Sequence, residues 1–409
     1  MNKNKVQTIK VRKKRVVTGT LLPVPARPRK EAWLAVIAND EDISAVVRAF
    51  QMGAEGIVFT QGTEASHGAI AAKELGLPVA LTTAKDKLRM GSQISILEGG
   101  EITAPTRPKS LSVNLKFPPT KSPVSINLGF PEVLQRTPEL KSVVDAIGFV
   151  RLEYMLLTIL QGLHPLLYIR RFGEKRLAEE LASELEILVA TGLPVWIRTD
   201  DFSPQLLVTL KGGKRFETIP ESNPMLGYRG IARSIAEPKM VRYQFRAIRI
   251  LVKKGFATIG LFPPMTRTVS EYRRWLKLAR EEGLTKQMVD FGLMVETVAA
   301  AENLAAFARL IEFVVIGSND LTQFTMAIDR SHPKLKALFD VRQPSVKKII
   351  GKIIVECKRQ GIPCFIGGVA GTDPRVLLNL MEMGPIYPSV APQLEVVARM
   401  RVALAKKGK

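Results

Sequence analysis

The sequence has few cysteines and no long apolar run, and each shortage excludes a class of protein. Only Cys357 and Cys364 occur among its 409 residues, and they form neither a CxxC pair nor a disulfide framework. No apolar stretch approaches the roughly 18 residues of a membrane-spanning helix, and the basic N-terminus lacks the apolar core of a signal peptide. We therefore expect a cytoplasmic protein with reduced thiols and no membrane segment.

Acidic residues are also scarce, since 38 Asp and Glu stand against 60 Lys and Arg, giving a net charge of +22. Residues 1–30 hold ten of the basic residues and no acid. Such a segment could bind nucleic acid or an acidic partner. Because aromatic residues make up only 6% and no nucleic-acid-binding motif accompanies the charge, we interpret residues 1–19 as a solvated basic tail and do not expect nucleic-acid binding.

The length and the 46% content of hydrophobic residues indicate a folded protein of two or three domains. A stretch with five prolines and no helical period predicts a linker over residues 106–122. It separates a first domain over residues 20–105 from a second over residues 123–405. The prolines within or beside this stretch are Pro105, Pro108, Pro118, Pro119 and Pro123.

His67 lies in a local sequence that predicts a strand, a turn and a short helix. Gly56–Phe59 is apolar, Ser66 is placed to cap a helix that begins at His67, and Gly76 followed by Pro78 ends that helix. An imidazole in the first turn lies near free backbone N–H groups, which suits a phosphoryl group on the ring. A histidine that only packs or caps there is the alternative, and geometry alone does not decide between them.

From residue 124 onward, apolar strands alternate with amphipathic helices such as 174–191 and 269–282. Eight βα-like units over the rest of the chain predict a TIM barrel, with a doubly wound open sheet as the alternative. The predicted strands span residues 124–130, 147–153, 194–199, 228–233, 258–263, 292–296, 313–317 and 364–368.

Charged and amide side chains occur where these apolar strands end. Any one of them could be a surface ion-pair partner, but several at equivalent strand ends indicate a site at the carboxyl end of a barrel. They are Arg151, Glu153, Arg198, Arg229, Arg267, Glu296, Asn319 and Asp320.

Several segments resemble those of phosphoenolpyruvate-utilising enzymes. Residues 63–78 are similar to the swivelling phosphohistidine domain of that family, and residues 147–153, 221–230, 294–296 and 316–325 resemble motifs of its phosphoenolpyruvate-binding barrel. Several motifs in one order are more specific than any one of them. The insert at residues 212–217 is most similar to the phosphoenolpyruvate synthase (pyruvate, water dikinase) branch.

The resemblance implies an α/β protein in which a swivelling phosphohistidine domain precedes a (β/α)8 TIM barrel. His67 would carry a phosphoryl group as a covalent intermediate in the interconversion of phosphoenolpyruvate and pyruvate. The family's pattern further implies a homodimer and the following site residues. Arg151, Arg198 and Arg229 would hold the phosphoryl group, Asn319 would position substrate, and Glu296 and Asp320 would bind Mg²⁺.

Two departures from the family pattern leave two functions open. Gly367 occupies the position of the family's catalytic cysteine at the end of the eighth strand, and strand alternation points Cys364 to the opposite face. Bound water or Tyr387 could replace the acid. No ATP-grasp domain is found, so we expect an ATP site on a separate subunit. The chain is then either such an enzyme or an impaired homologue that binds phosphoenolpyruvate or a partner.

Overall fold

The computed structural model describes residues 6–24, 31–38, 43–61, 67–82, 89–97, 99–107, 109–223, 225–330 and 332–407. The chain divides into two compact units. One comprises Gln7–Lys116 with Asp329–Ala337, and the other comprises mainly Phe117–Ile328 and Leu338–Lys409.

The first unit is built on a seven-stranded sheet in the order β4-β3-β2-β1-β5-β6, with β7 also paired to β1. Neighbours from β1 to β4 are parallel, whereas β5 is antiparallel to both β1 and β6. The strands are β1 (Gln7–Leu22), β2 (Trp33–Ile37), β3 (Gly56–Phe59), β4 (Val79–Leu81), β5 (Gln93–Leu97), β6 (Ile102–Thr103) and β7 (Lys109–Phe117), and the helices are α1 (Ile43–Gln51) and α2 (His67–Glu74).

Two of these strands lie where the sequence analysis expected irregular chain. Residues 1–19 were interpreted as a basic tail, but the structure has a strand over Gln7–Leu22, whose Val17 and Leu21 are buried. The linker predicted over residues 106–122 contains a strand, Lys109–Phe117, in which polar and apolar residues alternate from Ser110 onward. The charge and the prolines hid this period of two, which is the signature of a strand. The domain boundaries themselves remain a prediction.

The helix expected at His67 is present, and β3 precedes it as predicted. It ends where Gly76 adopts a φ of +74°, with the Gly76 N–H donating to the Lys73 carbonyl at 3.1 Å and the Leu77 N–H to the Ala72 carbonyl at 2.9 Å. This is a glycine-terminated helix end. The predicted cap, Ser66, lies outside the described residues, and the placement of the His67 side chain is likewise outside the description.

The second unit is a closed barrel of eight parallel strands in the order β8 to β15, with β15 paired to β8. The TIM-barrel prediction is therefore confirmed, and the open-sheet alternative is wrong. The strands are β8 (Ser125–Leu128), β9 (Ala146–Arg151), β10 (Val195–Arg198), β11 (Ile259–Phe262), β12 (Asp290–Val295), β13 (Phe313–Gly317), β14 (Cys364–Gly367) and β15 (Tyr387–Val390).

Helices connect the strands around the barrel. Those predicted over residues 174–191 and 269–282 are confirmed to within two residues. The helices are α3 (Glu132–Arg136), α4 (Leu140–Val143), α5 (Leu152–Leu160), α6 (Pro165–Phe172), α7 (Glu174–Val189), α8 (Pro204–Thr209), α9 (Gly213–Phe216), α10 (Gly230–Ala236), α11 (Lys239–Lys253), α12 (Val269–Glu281), α13 (Val298–Glu302), α14 (Leu304–Phe307), α15 (Ser318–Met326), α16 (Pro344–Gln360), α17 (Gly368–Thr372), α18 (Pro374–Leu380) and α19 (Leu394–Lys407).

Two barrel strands differ from the prediction. The fourth predicted strand, residues 228–233, is instead a loop followed by α10, so this prediction is wrong. The last predicted strand is the seventh of the barrel, and the eighth is the four-residue β15, Tyr-Pro-Ser-Val. A strand this short that contains a proline gives almost no sequence signal.

The barrel interior is filled by large side chains. A buried cluster joins Phe149, Phe262, Phe313 and Phe365 with Met294 and Val315, and Trp196 and Tyr387 pack against it. Gly260 and Gly292 provide room, because an added Cβ would come within 2.0 Å of Trp196 and 2.3 Å of Phe313 respectively. The interior is thus a packed core. Among the described helices, none has the length and apolar character needed to cross a membrane.

Candidate active site

The predicted site residues of the barrel converge on its carboxyl end. Arg151 and Arg198 are the last residues of β9 and β10, and Glu296 directly follows β12. Asn319 and Asp320 lie in the first turn of α15, directly after β13. Because all eight strands are parallel, the carboxyl ends of the strands lie together at one end of the barrel.

Asp201 links two of the predicted arginines. Arg198 Nη1 donates to Asp201 Oδ2 at 3.3 Å and Arg198 Nη2 donates to Glu153 Oε1. Arg229 Nε donates to Asp201 Oδ1 at 2.8 Å, and its Nη2 donates to Asp201 Oδ2. Arg229 therefore joins the site although the strand predicted around it does not exist. Asp201 itself was missed, but its position three residues after a strand-ending arginine is a signal that the strand-end rule could have used.

These two arginines are held as permanent cations in a buried setting. Their side chains are 8% and 4% exposed for Arg198 and Arg229. Burial works to lower the pKa of each guanidinium, but the negative charges of Glu153 and Asp201 at Arg198, and of Asp201 at Arg229, outweigh it and raise the pKa above its ordinary value. Buried forks of this kind suit bidentate binding of phosphate or carboxylate.

Arg151 lies beside this cluster and shares an aromatic neighbour with it. Its guanidinium lies 5.3 Å from the ring centre of Phe149 and 5.2 Å from that of Tyr154. The guanidinium of Arg198 lies 5.1 Å from the same Phe149 ring. Two cations on one ring place Arg151 and Arg198 next to each other at the mouth of the barrel.

Glu296 has the properties expected of a metal ligand. Its Oε1 accepts the Met265 N–H at 2.6 Å, whereas the buried Oε2 has no hydrogen-bond partner among the described residues. Burial, followed by the negative charge of Asp320, raises its pKa to about 8. A cation between Glu296 and Asp320 would offset both the cost of burying a charged carboxylate and the repulsion between the two carboxylates. No group of three or more metal-binding side chains occurs in the described part of the chain, and carboxylate oxygens are the ligand type that Mg²⁺ prefers.

Asn319 contributes to the mouth through its side-chain oxygen, which accepts the Val369 N–H at 3.0 Å at the start of α17. The neighbouring Ser318 Oγ donates to the Gly367 carbonyl at 2.6 Å. These bonds connect the ends of β13 and β14. Asn319 therefore orders the turn after Gly367 as well as facing the predicted site.

Gly367 ends β14 in extended backbone, with φ of −106°. A Cβ added there would lie 3.5 Å from Asn127 Oδ1 and 3.5 Å from Phe149 Cδ1, so the position faces the barrel mouth and has room for a side chain. Neither Cys364 nor Tyr387 lies at this position. Cys364 is buried with Cys357, in agreement with the predicted core role. Tyr387 begins β15 in register with Phe365, two residues below Gly367, and packs on the Phe365 ring at 5.5 Å.

Two further residues near the strand ends differ from the predicted set: Asp200 was not predicted, and Arg267 forms an ion pair. Asp200 is buried and paired with Gln244, and burial raises its pKa to about 7. Arg267, a strand-end candidate, pairs with Glu271 at 2.9 Å at the start of α12, as the surface ion-pair interpretation predicted.

Comparison with known proteins gives matches over both units. Residues 114–407 match the PEP-binding domain of PEP-utilising enzymes, and residues 35–101 match their mobile domain. The chain is 32% identical over 399 residues to the phosphoenolpyruvate synthase of Pyrococcus furiosus, covering 90% of this chain and 46% of that protein. It is 34% identical over 367 residues to a probable phosphoenolpyruvate synthase of Archaeoglobus fulgidus, covering 87% and 48%.

The chain thus spans about half the length of the curated relatives it matches. Among solved structures, an HpcH/Hpal aldolase/citrate lyase family protein from Burkholderia cenocepacia aligns with a TM-score of 0.40 at 12% identity, over 70% of this chain and 95% of its own.

Proposed function

Because this chain belongs to the family of phosphoenolpyruvate-utilising enzymes, we propose that it moves a phosphoryl group between phosphoenolpyruvate and pyruvate through a phosphohistidine at His67. The observation that carries the proposal is the pairing of two buried arginine forks with two metal-competent carboxylates at one barrel mouth. Phosphoenolpyruvate has a phosphate and a carboxylate on three carbons, and this arrangement offers cations for both.

The arginines act by charge neutralisation. Arg151, Arg198 and Arg229 bind the phosphoryl oxygens, while Asp201 and Glu153 accept hydrogen bonds from only part of the Arg198 and Arg229 guanidinium groups. Arg198 and Arg229 are thereby held in place before substrate arrives, which lowers the cost of ordering them. Asn319 positions the substrate beside them.

Glu296 and Asp320 would hold Mg²⁺, which supplies charge neutralisation for the enolate oxygen. Glu296 must lose its proton before it can bind the metal. Because its pKa is raised, metal binding should be weaker at low pH.

The proposed transfer balances as follows. The phosphorus–oxygen bond of phosphoenolpyruvate breaks, a phosphorus–nitrogen bond to the His67 imidazole forms, and an enolate of pyruvate remains. The methylene carbon of that enolate then takes one proton to give pyruvate. Gly367 has no side chain to donate it, so we assign the proton to solvent water entering the space beside Asn127.

That missing side chain also supports a second candidate function. A catalytically impaired homologue would keep the arginines and the carboxylates, bind phosphoenolpyruvate or a partner subunit, and turn over little or none. The two candidates differ only in whether the phosphoryl group leaves the substrate.

The relatives of this chain are about twice as long as the part that it matches. By family resemblance we propose that the nucleotide step, if ATP takes part, uses an ATP-grasp site outside the two units described above. By the same family resemblance we propose a homodimer.

Intact-protein mass spectrometry after incubation with phosphoenolpyruvate and Mg²⁺ tests the transfer. We expect a phosphoryl adduct at neutral or mildly basic pH, with pyruvate released in the same tube. His67→Ala should abolish both, and Arg198→Lys should reduce both while leaving the fold intact. If calorimetry shows that phosphoenolpyruvate binds, but neither adduct nor pyruvate forms, the protein is the impaired homologue and not the active enzyme. No binding at all would contradict both.

A further inference from the structure

A buried polar network beside the site has no role in the proposed transfer. It consists of His164, Glu217 and Arg233, and the side chains of His164 and Arg233 are 0% and 3% exposed. His164 caps α6, Glu217 follows α9, and Arg233 lies within α10, so three separate segments meet there.

Glu217 is the centre of the network. Arg233 Nη1 and Nη2 donate to its two oxygens at 2.8 Å each, in a bidentate pair. His164 Nε2 lies 3.1 Å from Glu217 Oε1, while His164 Nδ1 accepts the Leu166 N–H at 3.2 Å. Since Nδ1 is an acceptor, the hydrogen is on Nε2, and the neutral imidazole donates to Glu217.

Arg233 also holds the chain directly before Arg229. Its Nε donates to the Tyr228 carbonyl at 3.2 Å, and its guanidinium lies 4.6 Å from the centre of the Tyr228 ring. The Tyr228 N–H donates to Glu221 Oε1 at 2.8 Å. Both peptide groups of Tyr228 are therefore fixed by side chains, and Arg229 is the next residue.

The described residues of the segment 221–229 form neither strand nor helix. Their main-chain bonds are local, such as Leu226 N–H to the Asn223 carbonyl at 3.1 Å and Arg229 N–H to the Gly227 carbonyl at 3.0 Å. Without a ladder of hydrogen bonds, the place of this segment depends on the side chains that hold it. The Glu217–Arg233 pair is a buried connection from the end of this segment to another part of the barrel face, in addition to the Arg229–Asp201 pair.

Glu217 keeps its negative charge near neutral pH. Burial alone would raise the pKa of Glu217, but hydrogen bonds from His164 and Arg233 lower it to about 2. Glu217 thus remains charged, and His164 is held in one orientation by the stacked ring of Phe216, 4.8 Å away.

We propose that His164, Glu217 and Arg233 are positioning residues that present the Arg229 guanidinium to an anionic substrate. This inference rests on the proposed function, since it assigns Arg229 to substrate. Asp201 orients the guanidinium, and the Glu217–Arg233 pair fixes the backbone that carries it.

Glu217→Gln tests the proposal, because it keeps the size of the side chain and removes the charge. We expect the affinity for phosphoenolpyruvate with Mg²⁺, measured by calorimetry, to fall about tenfold. Amide hydrogen exchange in residues 225–230 should become faster without any ligand. Asp145→Asn is the matched control, because it also removes a carboxylate paired with a buried arginine, Arg401, but at the amino ends of β8 and β9. It should change neither quantity.

A double-mutant cycle separates positioning from general stability. In an Arg229→Lys background, Glu217→Gln should alter the affinity less than twofold, because its effect passes through Arg229. Equal losses in both backgrounds, or equal losses in Glu217→Gln and Asp145→Asn, would overturn the proposal. Arg233→Lys provides a second variant if Glu217→Gln does not fold. If the wild-type protein binds no phosphoenolpyruvate, the proposed function fails, while unchanged exchange in the variant would independently refute the positioning role.

Discussion

At the scale of residues, the mouth of the barrel concentrates acids that are costly to ionise. Glu296 has a pKa of about 8 and Asp200 one of about 7, both because of burial and then because of the negative charge of neighbouring carboxylates, which together outweigh the hydrogen bonds that lower each pKa. Perturbed carboxyls of this kind are typical of functional sites. The sequence predicted Glu296 through its family motif, but the pairing of Asp201 with Arg229 depends on a fold that brings together residues 28 positions apart.

Mg²⁺ binding should depend on pH through Glu296. The carboxyl must lose its proton to become a ligand, so affinity should rise with pH, by about tenfold per pH unit well below the pKa, and level off above about pH 8. Calorimetric Mg²⁺ titrations across this range measure it. Glu296→Gln should abolish the pH-dependent part, and an affinity that is flat with pH would refute the assignment of Glu296.

Stability should depend on pH through Asp200. Its folded pKa is raised, so its contribution is fully present below its unfolded pKa of 3.8 and is lost as pH rises through about 7. Asp200→Asn keeps the oxygen that accepts from Gln244 and removes the charge. We expect a melting temperature a few degrees higher than wild type near pH 8 and little difference near pH 5. An equal change in melting temperature at pH 5 and pH 8 would mean that the substitution acts through packing and not through charge.

Gly367 should accept a cysteine. The added Cβ would make ordinary contacts at 3.5 Å, and the backbone is extended, so Gly367→Cys should change the free energy of unfolding by less than about 1 kcal/mol. If proton donation limits the reaction, pyruvate formation should rise about 100-fold. Gly317→Cys is the contrasting variant, since its Cβ would lie 2.7 Å from Met294 and 2.8 Å from Glu296. It should lose about 1–3 kcal/mol, as measured by denaturant unfolding.

At the scale of elements, most of the barrel could be predicted from its sequence, because long amphipathic helices separate its apolar strands. The failures have physical causes. Residues 228–233 have the composition of a strand, but they form the end of a loop, held by side-chain hydrogen bonds, and the start of α10. Tyr387–Val390 is a strand that is too short to show a period of two. Lys109–Phe117 has a clear period of two that its flanking prolines obscured.

The start of α12 gives an element-scale prediction. Thr268 and Glu271 form a capping box, with the Glu271 N–H donating to Thr268 Oγ1 and the Thr268 N–H to Glu271 Oε2, both at 3.1 Å. Thr268→Ala should lower the free energy of unfolding by about 1 kcal/mol. The affinity for phosphoenolpyruvate should stay at the wild-type value, because the cap contacts no proposed ligand-binding residue. A lost affinity would show that this turn belongs to the site.

At the scale of the whole molecule, the chain has two units. One consists of a sheet with the helix that begins at His67, and the other is the barrel with the arginines and carboxylates. The family, both domain types and their order followed from sequence motifs. The Asp201–Arg229 pair and the His164–Glu217 contact did not, because each joins segments that are 28 or more residues apart in the chain. Oligomeric state belongs to this scale and remains a prediction.

We expect a homodimer. Sedimentation equilibrium should give twice the chain mass of 45.2 kDa at micromolar concentration. The same measurement at high salt serves as the control, because a dimer held by surface charge alone would dissociate there. A mass of one chain under both conditions would contradict the family-based expectation.

The aromatic core of the barrel has a consequence for turnover. Phe149, Phe313, Phe365 and their neighbours close the interior, so no passage leads from the mouth to the opposite end. Under the proposed function, phosphoenolpyruvate then enters and pyruvate leaves at the same end of the barrel. An excess of pyruvate should therefore compete with phosphoenolpyruvate for that entrance and slow turnover.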